Sequence, residues 1–149
     1  MDKSEVSLLK HFLYDDEKDK AKQYLTKTTD SLFLHYFAMN YNWDQGFDLP
    51  SVILENKACD FGTGLCMFHS SDGIRLLISP EEVSQSSLEG WKVFVNKVAQ
   101  KLIDEGFVLK NISYEPDITK VQRYKLRKSK IPDILIEPSP GERVQVLMI

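Results

Sequence analysis

The segment DSLFLHYFAMNYN, Asp30–Asn42, constrains the fold of this 149-residue chain more than any other. Asp30 is suited to cap a helix, and the residues behind it are apolar on nearly every side of a 3.6-residue turn. A helix with no polar face needs other elements all around it. The longest apolar run, Leu32–Met39, is interrupted and far too short to cross a bilayer. The expected architecture is therefore mainly α, a multi-helix bundle or short helical array packed around this third helix. A small antiparallel β element is expected at the C-terminus, with a purely all-α fold as the alternative.

A single domain spanning 1–149 fits the length, which is enough to bury a substantial core. Within it, 32–73 is the motif-bearing helical core, and 107–149 holds a strand, a basic helix and a hairpin. The 42% hydrophobic and 28% charged content belongs to a globular chain rather than a disordered one. A net charge of −3 predicts no bulk attraction to nucleic acid or to an anionic membrane. The acidic start MDKSEVSLLKHFLYDD lacks the layout of a signal peptide, and Cys59 and Cys66 form neither a disulfide framework nor a C-x-x-C pair. A reduced, cytoplasmic protein is the expectation.

Around the central helix the periodicity predicts several more. Val6, Leu9, Phe12 and Leu13 mark a first helix over 1–14 with Ser4 as cap, and KAKQYLTK continues as a second. Pro50 suits the first turn of a fourth, where its missing N–H is not needed. A fifth is expected from near Thr63 to Asp72-Gly73, closed by a left-handed Gly73. Ser79-Pro80-Glu81-Glu82 has the composition of a capping box. Leu88, Trp91, Phe94, Val95, Val98, Leu102 and Ile103 form one apolar stripe that stops at Gly106, with a break expected near Ser86-Ser87. FVLKNISY alternates like a strand, Pro116-Asp117 opens a basic helix through Lys130, and ILIEP and RVQVLMI flank the turn-rich SPGE as a hairpin would.

The densest chemistry lies between Asn40 and Gly73, where Trp, Asp, Gly, Pro, Cys and His crowd together. Turn grammar accounts for most of it. Asn42, Asp44 and Gly46 suit the corner between the third and fourth helices, and Asp60, Gly62 and Thr63 suit the next one. Both aspartates are expected to accept backbone N–H groups at helix starts or turns, and Trp43 to lie over the neighbouring helices. A metal reading would draw on His35, Asp44, Asp60, His69 and Asp72, but no zinc or calcium ligand spacing supports it. Cys66 and His69 share a helix face, yet Leu65, Met67 and Phe68 surround the thiol, which predicts a buried, unreactive group. FGTG lacks the Lys-Ser/Thr of a phosphate loop, and no G-x-S-x-G elbow is present. No catalytic residue, cofactor or metal is therefore assigned.

The run KVQRYKLRKSK carries Lys120, Arg123, Lys125, Arg127, Lys128 and Lys130. It reads first as a solvated helix face and second as a contact patch for an acidic protein. Tyr124 alone is a thin platform for stacking bases, so nucleic acid is the less favoured partner.

The string HYFAMNYNWDQGFxxPxxILxNxxCDxGTGLxxFxxxDG, from His35 to Gly73, resembles a small bacterial domain family of unknown function. Its hallmark is a Y-N-W-D-x-G-F-x-x-P segment followed by C-D-x-G-T. Weaker similarity continues through P-E-E and Y-E-P-x-x-T-K-V-Q. One departure is Gly64, where the family favours alanine. Such domains resemble stand-alone proteins found near bacterial toxin systems, many of whose neighbours are immunity proteins. The resemblance thus implies a protein-binding domain, an immunity protein that neutralises a toxin being one form. The contact residues expected are Trp43, Asp44, Asp60, Lys120, Arg123 and Arg127. An enzyme or metal-binding protein built on the Trp43–Asp72 block is the alternative.

Overall fold

The computed structural model describes residues 1–147, and the strand expected over RVQVLMI runs in its last two residues, Met148 and Ile149, outside them. Among the described residues there are nine α-helices: α1 (Lys3–Tyr14), α2 (Lys18–Lys27), α3 (Ser31–Asn40), α4 (Asp48–Glu55), α5 (Phe61–Ser70), α6 (Ile74–Ile78), α7 (Pro80–Ser84), α8 (Glu89–Ile103) and α9 (Lys120–Lys128). Two 3-10 turns, Trp43–Gln45 and Asp133–Leu135, and two short strands, β1 (Ile112–Ser113) and β2 (Glu142–Arg143), complete the chain. The fold is mainly α. No helix among the described residues is long and apolar enough to cross a membrane.

The layering follows from where the apolar residues sit. α3 packs between α1 and α5, α5 packs between α3 and α8, and α2 lies on α4. The centre is shared by two helices rather than held by α3 alone. α3 buries Phe33 through Ala38 without interruption, and α5 buries every residue from Phe61 to Phe68. Asp30 caps α3 as its position predicts, accepting from the Leu32 and Phe33 amides. The first helix is capped by Asp2 rather than Ser4; the Asp2 carboxylate takes the Glu5 amide and the Ser4 hydroxyl.

Gly64 sits where no side chain fits. A Cβ at that position would stand 2.4 Å from Cζ of Phe107. The Phe107 ring fills the space instead, edge-on to Phe61 at 5.7 Å, with the Lys101 ammonium 4.7 Å from its centroid.

Three expectations about element ends are corrected. Gly73 has φ −62, and the left-handed residue closing α5 is Asp72, φ 63. The same device closes α8 with Glu105 and α9 with Lys130. In each, the amide two residues past the last turn reaches back: Gly73 to Phe68, Gly106 to Lys101 and Ile131 to Leu126. Gly73 is required for closeness, since a Cβ there would lie 2.4 Å from the Phe68 carbonyl oxygen. Ser79 makes no side-chain cap, because α6 ends one residue before it and Glu82 turns to Arg75. The complete capping box is Thr119 with Gln122 at the start of α9, three residues beyond the expected Pro116.

The β element is also corrected. β1 and β2 pair in parallel, Ile112 with Glu142 and Ser113 with Arg143, so the described residues hold no antiparallel hairpin. ILIEP contributes the second 3-10 turn, and Phe107–Asn111 is not strand. Two-residue strands have too little local sequence to announce a partner thirty residues away.

Candidate functional site

The C-D-F-G-T segment is a mechanical joint. Asp60 is fully buried, and its carboxylate accepts three backbone amides: Gly62 at 2.9 Å, Asn111 at 2.6 Å and Ile112 at 3.1 Å. One bond caps α5; the other two pin the chain entering β1. Gly62 allows the pinning, because a Cβ there would come within 1.9 Å of the Ile112 carbonyl oxygen. That same oxygen accepts the Ser139 hydroxyl, and the Tyr114 amide donates to Ser139 Oγ at 2.7 Å. Phe61 donates its amide to Leu109, and Thr63 Oγ1 lies 2.9 Å from Nδ1 of buried His35. Cys59 lies buried behind the joint. Every residue of this segment is therefore committed to packing or hydrogen bonding within the chain. Asp60, expected among the contact residues, has no exposed surface to offer a partner. Ser139 had no sequence signal; only the folded chain brings it to the joint.

The Y-N-W-D-Q-G-F segment is built differently. Tyr41 donates its hydroxyl to the Gly46 carbonyl at 2.6 Å, and burial, with the Asp48 charge adding to it, pushes its pKa up to about 12. Gly46 sits at φ 96, a conformation that favours glycine. The cap is Asn42, whose side-chain oxygen accepts the Asp44 amide. This corrects the expectation for Asp44: its carboxylate is exposed and accepts no bond among the described residues. Pro50 lies in the first turn of α4, as expected. Trp43 is half-buried against Tyr41, Phe47 and Phe94, the last on α8.

Between this corner and α6–α8 runs an open groove of about 660 Å³. Trp43, Phe47 and Trp91 form its aromatic walls, Leu88 stands exposed at 64%, and Ser86 and Ser87 supply hydroxyls. Trp91 is held by its indole N–H, which donates to the Ser71 carbonyl at 2.7 Å. Arg75 lies at the edge between Asp72, at 3.3 Å, and Glu82, at 3.0 Å. Both tryptophans of the chain line this one groove. Sequence reading singled out Trp43 and Asp72 but missed Arg75, Glu82, Leu88 and Trp91. Leu88 and Trp91 read only as part of the apolar stripe of α8, and nothing along the chain ties them to Arg75 on α6 and Glu82 on α7.

Burial lowers the His35 pKa to about 4 and also lowers that of His69, whose Nε2–H donates to the Leu135 carbonyl at 2.7 Å. Burial raises the Cys59 thiol to about 12 and the Cys66 thiol to about 11. A thiol held neutral in apolar surroundings is a poor nucleophile. Among the described residues, no group of three His, Cys, Asp or Glu side chains could hold a metal ion.

On α9 the arginines and lysines part company. Arg123 donates to the Ile136 carbonyl and pairs with Glu137; Arg127 pairs with Asp133 and Glu137. Lys120, Lys125, Lys128 and Lys130 are exposed and make no ion pair among the described residues. The two arginines expected to be contact residues thus hold α9 to the second 3-10 turn.

A family model described as "Domain of unknown function (DUF4274)" matches residues 29–103, half of the chain. The match covers the Y-N-W-D-Q-G-F corner, the C-D-F-G-T segment and all the groove residues, while Asn111, Ile112 and Ser139 of the joint lie beyond it. No curated protein and no solved structure matches the chain.

Proposed function

We propose that this chain, which belongs to the family of unknown function matched over residues 29–103, is a protein-binding module whose contact surface is the Trp43–Trp91 groove. One observation carries the reading: both tryptophans, an exposed leucine and an arginine converge on one open groove. Trp and Arg are the residue types that most often dominate binding energy at protein interfaces, and flat aromatic faces lose little freedom on contact. Arg75 is already oriented by Asp72 and Glu82, so ordering it on binding costs little.

The narrower form of this proposal is an immunity protein of a bacterial cytoplasm that blocks a toxin. Its support is the likeness of the motif to domains found near toxin systems. The test uses the toxin-like product of a neighbouring gene, titrated into the full chain while tryptophan emission is followed. Because Trp43 and Trp91 are the only tryptophans, emission reports the groove. The expected result is a blue shift that saturates, with affinity at least about tenfold weaker for Leu88→Asp. A complex that forms with unchanged emission and is indifferent to Leu88→Asp would move the interface elsewhere.

A further inference from the structure

A second surface is carried by α9, and it is independent of the groove. At 100° per residue, Lys120, Tyr124, Lys128, Val121 and Lys125 fall in that order around one arc of the helix, about 140° wide. All five are exposed, Tyr124 at 64% and Val121 at 62%. The opposite side holds Leu126, buried, with Arg123 folded onto Glu137, and Arg127 borders the arc beside Lys120, half exposed but paired with Asp133 and Glu137. The outward arc is therefore three ammonium groups interleaved with one aromatic ring and one branched apolar side chain.

We propose that this arc docks an acidic protein segment that has its own apolar stripe, such as an amphipathic helix rich in glutamate. Charge complementarity favours an anionic partner, since three lysines converge with no carboxylate paired to them among the described residues. Two further observations choose protein over nucleic acid. The planar guanidinium forks that suit phosphate best are already paired with carboxylates of this chain, Arg123 with Glu137 and Arg127 with Asp133 and Glu137, leaving only ammonium point charges unpaired. Val121 lies among the lysines, and a phosphate backbone offers it nothing to pack against, whereas leucines on a partner helix do. The remainder of the chain is net acidic, which further weakens long-range attraction to nucleic acid.

The arc is free to change without loss of the helix. Thr119 and Gln122 close the capping box at one end, Lys130 closes the other, and Leu126 anchors the middle. The experiment maps backbone amide shifts of the full chain against three probes at low salt. These are a short synthetic helix with Glu on one face and Leu on the other, single-stranded oligo-dT, and a DNA duplex. The expected result is that the acidic helix moves the amides of Lys120–Lys128 and binds at least about tenfold more weakly to the Lys120→Glu/Lys125→Glu/Lys128→Glu variant. Tyr124→Ser should weaken it several-fold, and added salt should weaken it steeply. Should the triple reversal unfold the chain, the same three positions changed to Gln serve instead, with the same direction expected. Tighter binding of either DNA through these amides would overturn the choice of partner. Shifts absent from α9 with all three probes would overturn the surface itself.

Discussion

Asp60 and Asp44 occupy corners with the same composition, each an aspartate beside a glycine at a helix boundary, and the fold uses them in opposite ways. Asp60 lies beneath the surface with three amides on its carboxylate. Asp44 stands in solvent, and its neighbour Asn42 does the capping. The difference lies in what crosses each corner. The chain entering β1 arrives at the N-terminus of α5 with amides that nothing else satisfies, whereas the Trp43 turn satisfies its own backbone through Asn42 and Tyr41. A buried donor must find a partner inside the molecule, so the residue that meets it is fixed by folding. Residues left over at the other corner are available for contact.

Removing Asp60 is the hardest blow to that contrast. Asp60→Ala strands three amides, those of Gly62 and Ile112 buried and that of Asn111 partly so, and should lower the unfolding free energy by at least about 3 kcal/mol in denaturant titration. A variant that unfolds like the parent would break the comparison outright.

Acid should sharpen it next. His35, bonded to Thr63 behind the joint, is held neutral in the fold down to about pH 4, while the unfolded chain takes its proton near the ordinary 6.5. A folded pKa below the unfolded one means the unfolded state binds more protons as pH falls. Stability is therefore full above about 6.5, declines as pH drops toward 4, and loses nothing more from this group below that. The slope from His35 is at most about 1.4 kcal/mol per pH unit, and His69, also lowered by burial, adds with the same sign. His35→Gln should flatten the decline between these limits, measured by unfolding at a series of pH values.

The third test compares cations on α9. Arg123, with only 20% of its side chain exposed, is bonded to a carbonyl and a carboxylate. Arg123→Gln should cost about 1–2 kcal/mol, and Lys125→Gln less than about 0.5 kcal/mol. Equal effects would mean that the arginine is as loosely held as the lysine. The smallest effect belongs to the open corner itself. Asp44→Ala should shift stability by less than about 0.5 kcal/mol, while Asn42→Ala should cost about 1 kcal/mol, both read from thermal melts.

Much of the scaffold is legible from the sequence, because helix periodicity and the Asp30 and Pro50 signals are local. The all-round apolar character of Leu32–Met39 places α3 in the interior, and the Ser86-Ser87 interruption separates α7 from α8. What was not legible depends on contacts made at a distance. The SPGE turn looks like a hairpin, but Gly141, at φ 108, lets the chain pass against the Asn111 carbonyl and pair with β1 in parallel. Ser79-Pro80-Glu81-Glu82 has capping-box composition, yet Arg75 competes for Glu82. Asp60 reads as a turn residue, and only the fold brings Asn111 and Ile112 to its second oxygen and its first. The groove is the extreme case, since Trp43 from its 3-10 turn, Arg75 from α6 and the Leu88–Trp91 start of α8 come from separate elements and share nothing along the chain.

Native-state hydrogen exchange tests the division between joint and open corner most directly. Asn111 is an exposed residue whose amide is aimed at the Asp60 carboxylate, so its protection reports that bond rather than general burial. The Asn111 and Ile112 amides should exchange only through global or near-global unfolding, while the Asp44 amide, bonded to an exposed Asn42 side chain, exchanges through local opening orders of magnitude faster. Asn111 and Ile112 amides that exchange as fast as that of Asp44 would show that the C-D-F-G-T segment does not lock the fold, and the account would fail.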